Sequence, residues 1–130
     1  MIKYYNNISG LVKPLEPYSY VVRTGQTLYL AGQVALDENG SIVGTTTKEQ
    51  AIQVWKNIAI ALAAAGSSIE DIVKINYYLQ DVRELSEEIE IRKTIFATNK
   101  FPAVTAVQAA ALGLPGLRLE VDIVAVAKNA

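Results

Sequence analysis

Residues 47–66, TKEQAIQVWKNIAIALAAAG, and the following 73–80, VKINYYLQ, decide the fold. Thr47 with Gln50 three residues on has the form of a capping box, and Ala51, Trp55, Ile58, Leu62 and Ala65 then recur at helical spacing until Gly66 stops the run. In the second stretch Val73, Ile75, Tyr77 and Leu79 alternate with Lys74, Asn76, Tyr78 and Gln80, the period-two pattern of a strand with one drier and one wetter face. A helix with an apolar stripe that feeds such a strand packs that stripe on a sheet.

Upstream, residues 18–23 and 27–34 are β-rich runs separated by Thr24-Gly25-Gln26, which reads as a hairpin with Gly25 supplying a permissive turn backbone. Asn39-Gly40, between 34–36 and 41–43, carries the commonest two-residue turn signal and predicts a second hairpin. Downstream, Ser86 before Glu87 and Glu88 reads as a helix start, with Leu85, Ile89, Ile91, Ile95 and Phe96 as the buried stripe up to Asn99. Phe101-Pro102 then forces extended backbone, and 103–107 and 117–127 read as the last strands. The order ββ, α, β, α, ββ with short crossovers predicts one α+β domain over 1–130, a two-layer sandwich of a mixed sheet with both helices on one face. The opposite face keeps large apolar residues, so self-association is expected to cover it.

Composition narrows the chemistry. With 130 residues, 51% hydrophobic, the chain leaves no room for a second domain. No apolar run reaches the roughly 20 residues of a bilayer span, and the opening Met1-Ile2-Lys3-Tyr4-Tyr5-Asn6-Asn7 lacks a leader pattern, so a cytoplasmic protein without a membrane partner is expected. The absence of cysteine excludes disulfides, thiolate metal sites and a cysteine nucleophile, and the absence of histidine makes zinc a poor fit; no metal or cofactor is expected. Acid–base work would then fall to a carboxylate, Tyr, Lys or bound water. A net charge of −1, from 12 basic and 13 acidic residues well mixed, offers no basic stripe for nucleic acid.

Within 117–126, Leu117, Leu119, Val121, Ile123 and Ala125 take one face, while Arg118, Glu120 and Asp122 share the other. Side chains two apart on a strand leave it roughly 7 Å from each other, close enough for the acids to interact through water. From the residues alone, the ladder is either a solvated strip or a site.

Pro17-Tyr18-Ser19, Gly25, Tyr29-Leu30-Ala31-Gly32-Gln33, Gln50, Asn57, Ala64-Ala65-Gly66, Val73-Lys74, Asp81, Phe101-Pro102-Ala103, Leu114-Pro115 and Leu119-Glu120-Val121-Asp122 form an ordered series. In that order and spacing the chain resembles the RidA family of reactive-intermediate deaminases, also called YjgF-like or L-PSP. The resemblance implies a chorismate-mutase-like homotrimer with a small-molecule cleft between neighbouring subunits, and hydrolysis of an enamine or 2-imino acid to a 2-keto acid and ammonia. It implies that Glu120 holds and polarises the water, that Tyr18 lies over the ligand and that the backbone at Gly32 approaches it. It leaves Asp122 a structural role.

The sequence departs from the family where the substrate carboxylate is gripped. Val104 stands in place of the arginine after Phe-Pro-Ala, Ala31 in place of a serine, Ala106 in place of a polar or thiol residue, and Ile89 in place of an asparagine. Replacing a charge-assisted contact worth roughly 1.5–3 kcal/mol by a hydrocarbon weakens carboxylate binding about 10- to 150-fold. The expected ligand is therefore neutral or apolar. Arg92, on the second helix, is the preferred substitute cation, with Arg23 and Arg118 as alternatives. Three functions follow: an imine or enamine hydrolase with weak 2-imino acid activity, a non-catalytic small-ligand trimer, and the endoribonuclease or translation-inhibitor role in the family's L-PSP name.

Overall fold

The computed structural model describes residues 1–129. Its strands are β1 (Ile2–Tyr5), β2 (Val21–Thr24), β3 (Thr27–Leu30), β4 (Ile72–Leu79), β5 (Ala103–Gln108) and β6 (Leu119–Val126), and its helices are α1 (Thr47–Ala64) and α2 (Leu85–Ile95). One six-stranded sheet runs in the order β1-β2-β3-β6-β4-β5. Only β4 and β5 pair in parallel, as the α2 crossover requires; the other neighbours are antiparallel. This is the expected mixed-sheet α+β sandwich.

Leu119, Val121, Ile123 and Ala125 of β6, with Ile75, Tyr77 and Leu79 of β4, are buried against Val54, Ile58 and Leu62 of α1 in one core. The other face of the sheet carries Glu120, Asp122 and Val124 on β6 and Tyr29 on β3, and Tyr29 is half exposed. No helix is long and apolar enough to cross a membrane among the described residues.

Local details shift by small, explicable amounts. The capping box of α1 lies one residue earlier than predicted: Thr46 Oγ1 accepts from Glu49 N and Glu49 Oε1 accepts from Thr46 N. Thr47 is instead buried, its hydroxyl donating to Glu84. Helix α2 ends at Ile95, short of Asn99, and starts at Leu85 by continuing a 3-10 turn over Val82–Glu84 that Asp81 caps; Ser86 is not its cap. Strands β2 and β3 are shorter than the apolar runs, although Gln33 rejoins the sheet through a bridge to Val121. The Gly25 hairpin forms with φ of 61°. Asn39-Gly40 turns the chain, with Gly40 at φ 83°, but its flanks meet only through a single bridge between Leu36 and Ile42. Strand β1 escaped the sequence reading, since four mostly exposed residues carry little alternation.

Buried amides hold the loops around this frame. Gln50 Nε2 donates to the carbonyls of Gly44 and Gly116, and its Oε1 accepts from Arg118 N at 2.8 Å. Asn57 Nδ2 donates to the carbonyls of Val34 and Leu36. Gln50, Asn57 and Gln33, whose Nε2 donates to Ala31 O, thus tie backbone groups together inside the fold.

Candidate functional site

The residues singled out in the sequence fall into two groups, one on each face of the sheet. Strand alternation turns Glu120 away from the helices, opposite Tyr78 in the β4–β6 register, while Asp122 lies opposite Asn76. Burial first, and the charge of Asp122 second, push the Glu120 carboxyl above the ordinary carboxylate range. Asp122 is engaged: Asn76 Nδ2 donates to its Oδ1 at 2.8 Å, and the Asp122 carboxylate pushes the neighbouring Tyr78 phenol above its ordinary value.

Gly32 lies directly against Glu120. A Cβ built on Gly32 would stand 2.1 Å from Glu120 Oε2, so only glycine leaves room for the carboxylate beside this backbone. Ala31 precedes it, its N–H donating to Tyr20 O at 3.0 Å and its carbonyl accepting from Gln33 Nε2 at 3.0 Å. Tyr18, 40% exposed, meets the Tyr20 ring edge-on at 5.6 Å, and Tyr18, Tyr20, Gly32 and Asn57 line one crevice of about 40 Å³. Tyr18, Ala31, Gly32 and Glu120 therefore form one neighbourhood.

The second group lies on the helix side at the sheet's edge. In the parallel β4–β5 register Val104 is opposite Ile75 and Ala106 opposite Tyr77, so both share the face of those buried residues. Ala106 packs against the core, whereas Val104 stays 38% exposed. Ile89 and Arg92 come from α2, which covers this face. Arg92 is already engaged: its Nε and Nη2 donate to Glu88 Oε1 at 3.0 and 2.6 Å, and its guanidinium lies 4.7 Å from the centroid of Tyr77.

Within one subunit the sheet separates Arg92, Ile89, Val104 and Ala106 from Glu120. The alternative cations have other tasks. Arg23 donates to Ala65 O at 2.7 Å and to Asn129 O, binding the end of α1 to the C-terminal segment. Arg118 pairs with Glu84.

Tyr78 and Asn76, which flank the two acids, and Glu88, which holds Arg92, were not singled out in the sequence. For the first pair the wet face of the alternating strand was the available signal; what was missing was the register that sets them opposite β6. Glu88 read only as a favourable acid in the first turn of α2. Among the described residues no group of three or more His, Cys, Asp or Glu side chains could hold a metal ion.

Comparison with known proteins bears on this arrangement. The family model described as "Endoribonuclease L-PSP" matches residues 10–127. The human 2-iminobutanoate/2-iminopropanoate deaminase is 38% identical over 111 residues, 85% of this chain and 80% of that protein. Among solved structures, yeast Mmf1 superposes with a TM-score of 0.91 at 27% identity, covering 98% of this chain and all of that one. TdcF of E. coli, solved with bound serine, gives a TM-score of 0.86 at 25% identity, covering 95% and 98%.

Proposed function

Since the chain belongs to the L-PSP family, that of the RidA-like deaminases, we propose that it hydrolyses an imine or enamine in a cleft between subunits of a homotrimer. The observation that supports this most is the juxtaposition of Glu120 with Gly32. It leaves a desolvated carboxylate beside accessible backbone, next to the Tyr18 crevice. In this reading the group containing Glu120 on one subunit faces the edge group of Val104, Ala106, Ile89 and Arg92 on its neighbour. The two cannot meet within one chain, which is why assembly is part of the proposal.

The chemistry asked of the site is modest. An imine carbon is already electrophilic, and the protein needs to hold a water about 3 Å from it and to carry that water's two protons in turn to the nitrogen. Glu120, as the carboxylate, takes a proton from that water as its oxygen bonds to the imine carbon and the C=N electron pair moves to nitrogen. That proton is returned to the nitrogen to give the carbinolamine; Glu120, again a carboxylate, then takes the hydroxyl proton as the C=O bond forms and passes it to the departing nitrogen, so that ammonia leaves and a carbonyl remains. A carboxyl raised above its ordinary range is a stronger base than an ordinary carboxylate, which suits the group that takes the water's proton.

Val104 sets the substrate class. A valine neither donates a hydrogen bond nor compensates a buried anion, so the favoured ligand is neutral or weakly polar and 2-imino acids are poor substrates. The test is hydrolysis of 2-iminobutyrate by the purified protein and by Val104→Arg. The wild type is expected to be slow, and the arginine variant to gain about 10- to 150-fold in kcat/KM. A wild-type rate matching that of an arginine-bearing relative would refute this reading.

A further inference from the structure

Glu88 is anomalous for the helix layer: a carboxylate with no solvent exposure, on a helix whose other acidic residues Glu87 and Glu90 are not buried. Its Oε1 receives both Nε and Nη2 of Arg92, which is one helical turn on and 21% exposed. The guanidinium lies over Tyr77, and Tyr77 is paired in register with Ala106, one of the β5 residues that the proposed function gives to the ligand. The Tyr77 hydroxyl is buried with no hydrogen-bond partner; burial first, and the nearby Glu88 carboxylate second, push it above its ordinary value.

We propose that Glu88 is a specificity-determining residue that fills the fork of Arg92, the place a substrate carboxylate would take, and so keeps 2-imino acids out of the edge half of the cleft. The inference rests on the proposed function, since it concerns the ligand of that same site. An arginine edge grips a carboxylate through two parallel donors, and here the Nε–Nη2 edge is spent within the subunit. A ligand carboxylate could reach them only by displacing Glu88, which would then be an unpaired buried charge. Arg92 therefore holds the position of a substitute clamp with its charge already compensated by a buried carboxylate, and the site is selective for ligands that bring no anion of their own.

The experiment compares Glu88→Gln, which removes the charge and keeps the shape, with Val104→Arg and with the double variant E88Q/R92Q. The readouts are KM and kcat for 2-iminobutyrate, and binding of 2-ketobutyrate. Glu88→Gln is expected to lower KM and tighten 2-ketobutyrate binding by about 10- to 100-fold with a smaller change in kcat, and the double variant to lose that gain. A gain in Val104→Arg but none in a folded Glu88→Gln would reduce Glu88 to a structural role and overturn this proposal alone. No gain in either would overturn the proposed function and this inference with it. If Glu88→Gln does not fold, the wild type decides by NMR: its Arg92 Nε–H signal is expected to stay unmoved as 2-ketobutyrate is added to saturation, and a shift on binding would overturn the proposal.

Discussion

Glu120 is the residue on which the proposed chemistry turns, and its surroundings give it a signed pH dependence. Because the folded protein holds this carboxyl above its ordinary value of 4.5, ionising it costs stability. That contribution is fully favourable below the unfolded value and is lost as pH rises through the folded one. Glu120→Gln should therefore melt at a higher temperature than the wild type near pH 7, with the gap closing as pH falls below about 4.5. The same substitution should cost about 10²-fold or more in turnover, and wild-type activity should rise with pH as the carboxylate forms, along a limb displaced above the ordinary carboxylate range. A more stable and less active variant would separate a catalytic acid from a structural one. The identity of Glu120 was legible in its motif; its partners were not. Gly32, just past the end of β3, and Tyr78 of β4 lie beside it, and that proximity depends on long-range register, for which local alternation carries no information. Arg92 shows the same limit: its place on α2 could be read, but its engagement by Glu88 depends on how deeply the helix seats on Tyr77.

At the scale of elements, α1 was the most legible piece, because a stripe of Ala51, Trp55, Ile58 and Leu62 between a cap and a glycine is a purely local signal. The cap lay one residue earlier than expected because two adjacent threonines compete, and the one that faces Glu84 is drawn into the interior. Thr46→Ala should cost about 1 kcal/mol, seen as a fall of about 3–5 °C in melting temperature. Glu49, its reciprocal partner, is held below the ordinary carboxylate range by the backbone of Thr45 and Thr46. The stability it contributes is present above 4.5 and lost as pH falls through the lowered value, so the difference between wild type and Glu49→Gln should shrink in acid. Strand ends were read less well than the first helix: the run read as β2 starts before the paired residues because Tyr20 is buried ahead of the ladder, and that of β3 runs on because Gln33 rejoins the sheet only through an isolated bridge.

For the whole molecule, the two-layer arrangement leaves Tyr4, Tyr29, Val107 and Val126 exposed. Such apolar residues on the uncovered side of a sheet favour association. Light scattering is expected to give a mass three times the 14.1 kDa of the chain, and a particle of single-chain mass would remove the intersubunit cleft from consideration. The sheet order has one further consequence. Strand β5 closes one margin of the sheet, so the outward amides and carbonyls of AVTAVQ have no neighbour within the subunit. Uncharged and free of proline, this hexapeptide can template cross-pairing wherever it is bared, with Lys100 and Pro102 as the gatekeepers at its entrance. If the proposed assembly covers this margin, separating its subunits would bare a seed for fibrous deposits, and the contact would protect solubility as well as serve the site.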